Sequence, residues 1–176
     1  HDESLLAPTA FYPESAFLTM KELIHQARDQ RRHTPWTGLQ VKTGDSLADT
    51  AAQNGVIGIR AFREHEKELM ERHGLRPRLV DQHATAVGIG GKAQVLGKVA
   101  VPSGIAGVNG MIEWTAIDNH DVPPLTPVNL LHTLGAIVNL PDSRMELKMY
   151  GKATPLKKLP TGHVAHNIME FASTGW

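Results

Sequence analysis

Asp49 is the residue whose surroundings most favour chemistry, because it lies in a run of small and apolar residues, SLADTAAQNGVIG at 46–58. Two alanines follow Asp49 and Thr50, and a Gly-Val-Ile-Gly string comes shortly after them. An Asp before a Thr near a glycine is common turn chemistry, in which the side chain is solvated. The same carboxylate at the floor of a cleft would be available for proton transfer. The local sequence leaves both interpretations open.

A second motif, GIGGKA at 88–93, formally matches a dinucleotide-binding fingerprint, and Glu113 lies about 20 residues further on. That mechanism needs a helix to begin at the glycines, so that its N-terminus binds the pyrophosphate. The residues that follow, QVLGKVAVP, have the character of a strand and are interrupted by Gly97 and Pro102. We therefore interpret the motif as a glycine-rich hairpin tip, and no cofactor is predicted.

The histidines do not predict a metal site. His163 and His166 are three residues apart, which on a strand places them on opposite faces. The others considered have no ligand spacing of their own: His83, His120 and His132. Ordinary surface or hydrogen-bonded histidines are the simpler interpretation.

The sequence offers no other strong candidate for a catalytic nucleophile or acid. The chain has no cysteine, which excludes a thiolate nucleophile, a disulfide framework and a cysteine-built zinc site. There is no serine-based nucleophile elbow. Asp81 follows an apolar pair in LVDQHATA, but its Gln and His neighbours are bulky where a tight active-site turn needs small residues. We interpret Asp81 as structural.

The composition bounds the function classes. The 176 residues include 18 Lys plus Arg and 18 Asp plus Glu, so no net charge directs the chain to nucleic acid or an anionic membrane. No apolar run approaches the roughly 20 residues of a membrane span, so we expect a soluble protein. The chain starts at His1 without a Met, which indicates a fragment or a processed product. The compartment stays open, with an organellar location after N-terminal processing as one alternative.

The first 36 residues differ from the rest and are predicted to be an N-terminal extension. Helical spacing of apolar residues predicts an amphipathic helix near 16–30, with Ser15 as its N-cap. One alternative is a surface helix that packs on the body of the protein, and the other is an arm that docks on a partner. Residues 37–176 form the predicted main domain.

Within the main domain the pattern is that of many short strands with two short helices. The first helix is predicted over 59–73, with Gly74 as its C-terminal stop and a Glu68–Arg72 pair on its surface. The second helix is predicted over 127–134. Thr126 is the predicted N-cap of the second helix, with Pro127 at its first position. Strands at such close spacing predict a mostly β, closed antiparallel architecture.

Taken in order, these segments resemble the retropepsin-like aspartic protease domain, particularly that of copia-type retroelement polyproteins. SLADTAAQNGVIG is similar to the family's Asp-Thr-Gly-Ala motif, and AVGIGGKAQVLGKVAVP is similar to its glycine-rich flap. DVPPLTPVNLLHTLGAIVNL resembles its late helix with the flanking segments, and LPTGHVAHNIMEF resembles the Gly-His strand of the copia-type proteins. The resemblance covers roughly 38–171 and implies an acid-protease barrel of retroelement origin.

The resemblance also implies a mechanism. Aspartic proteases hydrolyse peptides with two carboxylates that share one proton, and the family is a standard example of that pKa splitting. A single motif per chain implies a homodimer in which Asp49 of each subunit meets at the two-fold axis. By resemblance, Thr50 would tie the two active-site loops together. The four residues of the flap tip, Gly88, Ile89, Gly90 and Gly91, would cover an extended polypeptide substrate.

Ala51 departs from the family, which has glycine at this place. If the loop needs a positive φ there, alanine costs roughly 1–2 kcal/mol. Two hypotheses follow. The chain is an aspartic endopeptidase with weak or lost activity, or it is a catalytically silent pseudoenzyme that serves as a structural or binding subunit of a larger assembly.

Overall fold

The computed structural model describes residues 39–49, 54–82, 94–118 and 121–176. In these residues the chain is mostly β, as predicted. Eleven strands are described, and their bounds are β1 Asp45–Ala48, β2 Gly55–Gly58, β3 Arg78–Asp81, β4 Val95–Ile105, β5 Val108–Ile117, β6 Leu125–Thr126, β7 Ala136–Asn139, β8 Arg144–Leu147, β9 Lys152–Pro155, β10 Lys157–Lys158 and β11 Val164–Asn167.

The strands form one large and one small sheet. The eight-stranded sheet has the order β10-β11-β1-β6-β2-β5-β4-β3, and the three-stranded sheet has the order β7-β8-β9. Two pairs, β1–β6 and β2–β5, are parallel, while the other pairs are antiparallel. Residues 1–36, with the predicted helix and its Ser15 cap, lie outside the described residues.

The prediction of a closed barrel is wrong for the part of the chain that the structure describes. Neither sheet pairs its first strand with its last, and β3 and β10 form the two edges of the large sheet. Closure requires the two edge strands to meet, and the density of strands along a sequence does not determine whether they do. An isolated parallel bridge, Gly104 to Met169, joins the end of β4 to the segment after β11.

That bridge brings two main chains unusually close together. The Gly104 N–H donates to Ile168 O at 2.8 Å, and the Glu170 N–H donates to Gly104 O at 3.0 Å. A Cβ added at Gly104 would lie 2.6 Å from the main-chain carbon and oxygen of Glu170. Only glycine fits at this crossing without a backbone shift.

The β4–β5 hairpin supplies much of the core. Its strands pair from Val95 to Ile105, and the turn has positive φ at both central residues, 53° at Ala106 and 76° at Gly107, as in a type I′ turn. Trp114 on β5 is fully buried, with Ile57 of β2 and Met145 of β8 in the same core cluster. The hairpin therefore holds the large sheet and the small sheet against one core.

Two helices accompany the sheets among the described residues. The first, α1, spans Ile59–Glu68 and continues as a π-helical turn, Leu69–His73, so that together they cover the predicted range. Gly74 ends it with φ 64°, and Arg72 lies 3.3 Å from Glu68, which confirms both predicted features. No described helix has the length and apolar character that a membrane crossing requires.

The second helix, α2, spans Val128–Thr133, within the predicted range. The prediction that Thr126 is its N-cap is wrong. Pro127 occupies the N-cap position, and no side chain makes a capping hydrogen bond there. The Thr126 hydroxyl is instead fully buried and contacts Ser46 and His166.

Candidate active site around Asp49

Asp49 follows directly after β1, which lies inside the eight-stranded sheet between β11 and β6. Its main-chain N–H donates to the carbonyl oxygen of Thr126 at 3.2 Å. The residue is half-buried, and its carboxylate oxygen Oδ2 is shielded from solvent. Thr50 and Ala51, the other two residues of the predicted catalytic motif, lie outside the described residues. Asp49 is thus a partly buried acid held at the end of an interior strand.

The short strand β6 determines where the Asp49 loop begins and ends. In the register, Ala48 of β1 pairs with Thr126 in parallel, while Val56 of β2 pairs with Leu125 in the antiparallel sense. The chain therefore leaves β1 on one side of β6 and returns as β2 on the other side. The two described ends of the loop, Asp49 and Asn54, therefore lie on opposite sides of this two-residue strand.

A buried polar cluster lies beneath that loop. Ser46, Thr126 and His166 each have no measurable exposure. The Thr126 hydroxyl donates to Ser46 Oγ at 2.7 Å and lies 2.8 Å from His166 Nε2, while Ser46 Oγ donates to Pro124 O at 3.1 Å. Strands β1, β6 and β11 are joined by these side chains as well as by their main chains.

Asp45, the residue before Ser46, is a buried carboxylate that pairs with a half-exposed lysine. The Lys157 ammonium donates to Asp45 Oδ2 at 2.7 Å. Only 4% of the Asp45 side chain is exposed, whereas 53% of the Lys157 side chain is. A buried carboxylate needs such a partner because desolvation disfavours its charge. The pair fastens the start of β1 to β10 at the edge of the sheet.

Burial lowers the pKa of three histidines. It lowers the pKa of fully buried His166 from 6.5 to about 4, opposed by the contact with the Asn167 carbonyl and the charge of Asp45. It also lowers the pKa of His65, opposed mainly by a hydrogen bond to Ala61 O. Burial again lowers the pKa of half-buried His163. All three are therefore more readily neutral than a solvated histidine.

Trp114 connects β5 to the strand that orients Asp49. Its indole N–H donates to Leu125 O on β6 at 3.0 Å. Gly55 pairs with it in the parallel register, and a Cβ at Gly55 would lie 2.6 Å from the Trp114 ring. The edge of the His65 ring faces it at a centroid distance of 6.1 Å. The indole thus sets the spacing of β5, β2 and β6.

We expect Trp114→Phe to lower the free energy of unfolding by about 2 kcal/mol, since it removes a buried donor and part of the ring volume. Urea denaturation measures the change. Trp176→Phe is the matched control, because Trp176 is 56% exposed and should shift the midpoint little. Equal effects of the two variants would contradict this role for Trp114.

A groove of about 490 Å³ lies next to the loop. Asn54, which ends the Asp49 loop, is in its lining, as is Asp81, which precedes the segment that contains Gly88–Gly91. Pro127, the residue after Thr126, lines it as well. Lys98 and Glu113 add an ion pair of 2.7 Å to the same lining. The groove is bordered by the described neighbours of the predicted catalytic loop and of the predicted flap.

The predicted flap tip itself, Gly88, Ile89, Gly90 and Gly91, lies outside the described residues. The strands on either side of it do pair: β3 and β4 are antiparallel, with Arg78 opposite Ala100. Asp81, which we interpreted as structural, is exposed at the end of β3.

The other sequence-based expectations concern histidines and metals. His166 is fully buried on β11, whereas His163 precedes the strand, is half-buried and contacts Thr161 Oγ1 at 2.8 Å. No group of three potential metal ligands occurs among the described residues.

Sequence reasoning did not find the Ser46, Thr126 and His166 cluster. The available signal was weak: a threonine between apolar residues and prolines in PPLTP, and a histidine within the apolar strand HVAHNI. Both fit ordinary local roles, a helix cap and a surface histidine. Their contacts join residues 80 and 40 positions apart, which local pattern does not encode.

Comparison with known proteins gives a likeness to solved structures but none to a family model or a curated protein. Among solved structures, the chain is similar to the crystal structure of the retroviral protease-like domain of Ddi1 from Leishmania major. The identity is 16%, the match covers 74% of this chain and 96% of that one, and the TM-score is 0.42. A TM-score at this level does not by itself establish a common fold.

Proposed function

We propose that this chain is a retropepsin-like aspartic endopeptidase domain whose activity is weak or lost, with Asp49 as its catalytic carboxylate. The observation that carries the proposal is the placement of Asp49. It stands at the end of an interior strand, one of its carboxylate oxygens is shielded from water, and its main chain is hydrogen-bonded to Thr126. The carboxylate of a fully solvated turn residue would not be shielded in this way.

The proposed chemistry needs a second copy of the chain. Two Asp49 carboxylates brought together at a two-fold axis share one proton, because like charges a few ångström apart do not both ionise. The ionised carboxylate accepts a proton from the attacking water, and the protonated one donates a hydrogen bond to the peptide carbonyl. Thr50 would support the paired loops, as the resemblance implies.

The groove beside the loop supports an extended polypeptide as the substrate class. Its lining combines the charged pair Lys98 and Glu113 with main chain of β2 and the start of α2. We propose that Gly88, Ile89, Gly90 and Gly91 cover it, since three glycines in four residues lower the cost of opening.

A second candidate function is a silent structural or binding subunit of a larger assembly, and Ala51 favours it. A methyl group where the family has glycine would strain a loop with positive φ and crowd the substrate. In that case Asp49 has only its hydrogen-bonding role within the fold. Such a chain needs no dimer, so the two functions differ in oligomeric state as well as in activity.

We expect Asp49→Asn to abolish whatever peptide cleavage the wild-type dimer shows at acidic pH, because an amide cannot act as the base. Digestion of a peptide library across pH, with the oligomeric state measured by sedimentation, tests this. Asp142→Asn is the matched control, since Asp142 lies in an exposed turn between β7 and β8. A strictly monomeric chain, or cleavage that survives Asp49→Asn, would defeat the protease proposal.

A further inference from the structure

The buried cluster beneath Asp49 forms a continuous series of contacts across three strands. Ser46 Oγ donates to Pro124 O at 3.1 Å, and Thr126 Oγ1 donates to Ser46 Oγ at 2.7 Å. Thr126 Oγ1 and His166 Nε2 are 2.8 Å apart, and His166 Nδ1 and Asn167 O are 3.2 Å apart. A buried polar group that loses its partner costs its desolvation, so these side chains resist separation of the three strands.

The hydrogens available to Ser46 and Thr126 indicate which ring nitrogen of His166 is protonated. The Ser46 hydrogen is used on the Pro124 carbonyl, and the Thr126 hydrogen is used on Ser46. The Thr126 oxygen is then an acceptor, so His166 Nε2 must carry the hydrogen that the 2.8 Å contact needs. In the neutral ring Nδ1 then carries none, so its 3.2 Å approach to the Asn167 carbonyl, the longest of the four contacts, is not a hydrogen bond.

Thr126 connects this series to the main chain of Asp49. Its side chain is fixed by Ser46 and His166, while its carbonyl accepts the Asp49 N–H. Since β6 has only two residues, it has few ladder hydrogen bonds with which to resist displacement. The side-chain contacts therefore supply restraint that such a short strand lacks.

Burial keeps the pKa of His166 low although a charged neighbour opposes it. Asp45, on β1, is the carboxylate whose charge acts on it, and Asp45 is already paired with Lys157 of β10. Asn167, opposite Asp45 in the register, presents a carbonyl and no charge. Burial therefore sets the neutral state, and the Nε2–H tautomer lets the three hydrogens of the cluster serve its three shorter contacts.

We propose that Ser46, Thr126 and His166 are positioning residues for Asp49. Their side chains form a buried hydrogen-bond relay in which His166 is the Nε2–H tautomer. The relay fixes β6 and, through the Thr126 carbonyl, the main chain of Asp49. The effect of the relay on cleavage rests on the proposed function. Its effect on the Asp49 main chain does not.

Thr126→Val and Thr126→Ser test the relay in the full-length chain, because valine keeps the shape and serine keeps the hydroxyl. We expect Thr126→Val to speed hydrogen exchange of the Asp49 amide roughly five- to tenfold, as the loss of one restraining hydrogen bond implies. Thr126→Ser should remain close to wild type. Unchanged exchange in a folded Thr126→Val protein would overturn the proposal.

Nitrogen-15 NMR of His166 at neutral pH reports which ring nitrogen carries the hydrogen. A purely structural role of the residue would leave this tautomer unchanged in the variants. Wild type and Thr126→Ser should show the Nε2–H tautomer. Ser46→Ala removes the acceptor of the Thr126 hydroxyl, which then turns to His166 and switches the ring to the Nδ1–H tautomer. This variant serves as the test if Thr126→Val fails to fold. An Nδ1–H or doubly protonated ring in the wild type would contradict the relay.

Cleavage assays separate this inference from the proposed function. If the wild type cleaves peptides, Thr126→Val should lower kcat more than it raises KM, and Thr126→Ser should restore kcat. If no form of the chain cleaves but Asp49 exchange responds to Thr126→Val, the protease proposal fails and the relay stands. If cleavage depends on Asp49 and Thr126→Val leaves both kcat and exchange unchanged, the relay fails and the protease stands.

Discussion

Replacing Ala51 with glycine is expected to raise peptide cleavage at acidic pH by roughly tenfold. A methyl group at a position with positive φ costs about 1–2 kcal/mol, and 1.4 kcal/mol corresponds to a factor of ten in rate. The gain should appear in kcat if the resemblance holds, because it places Ala51 in the loop that carries Asp49 and not among distant substrate contacts. Peptide-library digestion across pH, with purified wild type and variant, measures it.

The controls for this experiment come from the neighbouring residues. Ala52→Gly makes the same chemical change one position later, where the resemblance places no glycine requirement, and should not increase cleavage. Asp49→Asn combined with Ala51→Gly should be inactive. A confirmed Ala51→Gly dimer that cleaves nothing would defeat the latent-protease hypothesis. Robust cleavage by the wild type would defeat the silent-subunit hypothesis.

The free energy of unfolding is expected to fall by about 3 kcal/mol as the pH is lowered from 6.5 to 4, because of His166. Its pKa is 6.5 when solvated and about 4 in the fold, so the unfolded chain binds the extra proton within this range. The contribution of His166 to the free energy of unfolding is fully present above pH 6.5. It is lost as the pH falls through the folded-state pKa of about 4. The lowered pKa of His65 acts in the same direction.

Urea denaturation at about pH 7, about pH 5.5 and about pH 4, values that cover the range between the two pKa values of His166, tests this. His166→Gln should flatten the pH dependence, because an amide can donate to Thr126 but does not titrate. His132→Gln is the control, since His132 is exposed on α2 and should leave the slope unchanged. A profile that stays steep in His166→Gln would assign the acid sensitivity to other groups.

Peptide cleavage by Asp49 and the neutral state of His166 place opposite requirements on the pH. A pair of Asp49 carboxylates needs a pH low enough to retain one proton, while neutral His166 needs a pH high enough to stay unprotonated. A relay-dependent protease would therefore work in a narrow, mildly acidic range. The chain has no comparable conflict if it is a silent subunit at neutral pH.

Structural features that depend on residues close together in the sequence were the ones predicted best. Gly74 ends α1 because a residue in the left-handed region is needed there, and glycine adopts it without strain. The strand-forming character of QVLGKVAVP correctly argued against a helix, since these residues lie on β4. Local pattern was sufficient in both cases.

The errors came from contacts between distant segments. Thr126 has the right type and place for a helix cap, yet its hydroxyl is bound by residues from β1 and β11. The closed barrel failed for the same reason, because the partners of the edge strands are not encoded in their own residues. The parallel pairing of β1 with β6 is likewise visible only once the chain is folded.

The pairing of β1 also has a consequence for the time at which the site forms. Its antiparallel partner is β11, and Lys157, which neutralises Asp45, lies 112 residues further along the chain. During synthesis β1 leaves the ribosome long before β6, β10 and β11 exist, so the Asp49 loop has no partner strands until these segments are made. Proteolytic loss of β11 would remove the antiparallel partner of β1 and the His166 contact to Thr126, so we expect any activity at Asp49 to require an intact β11.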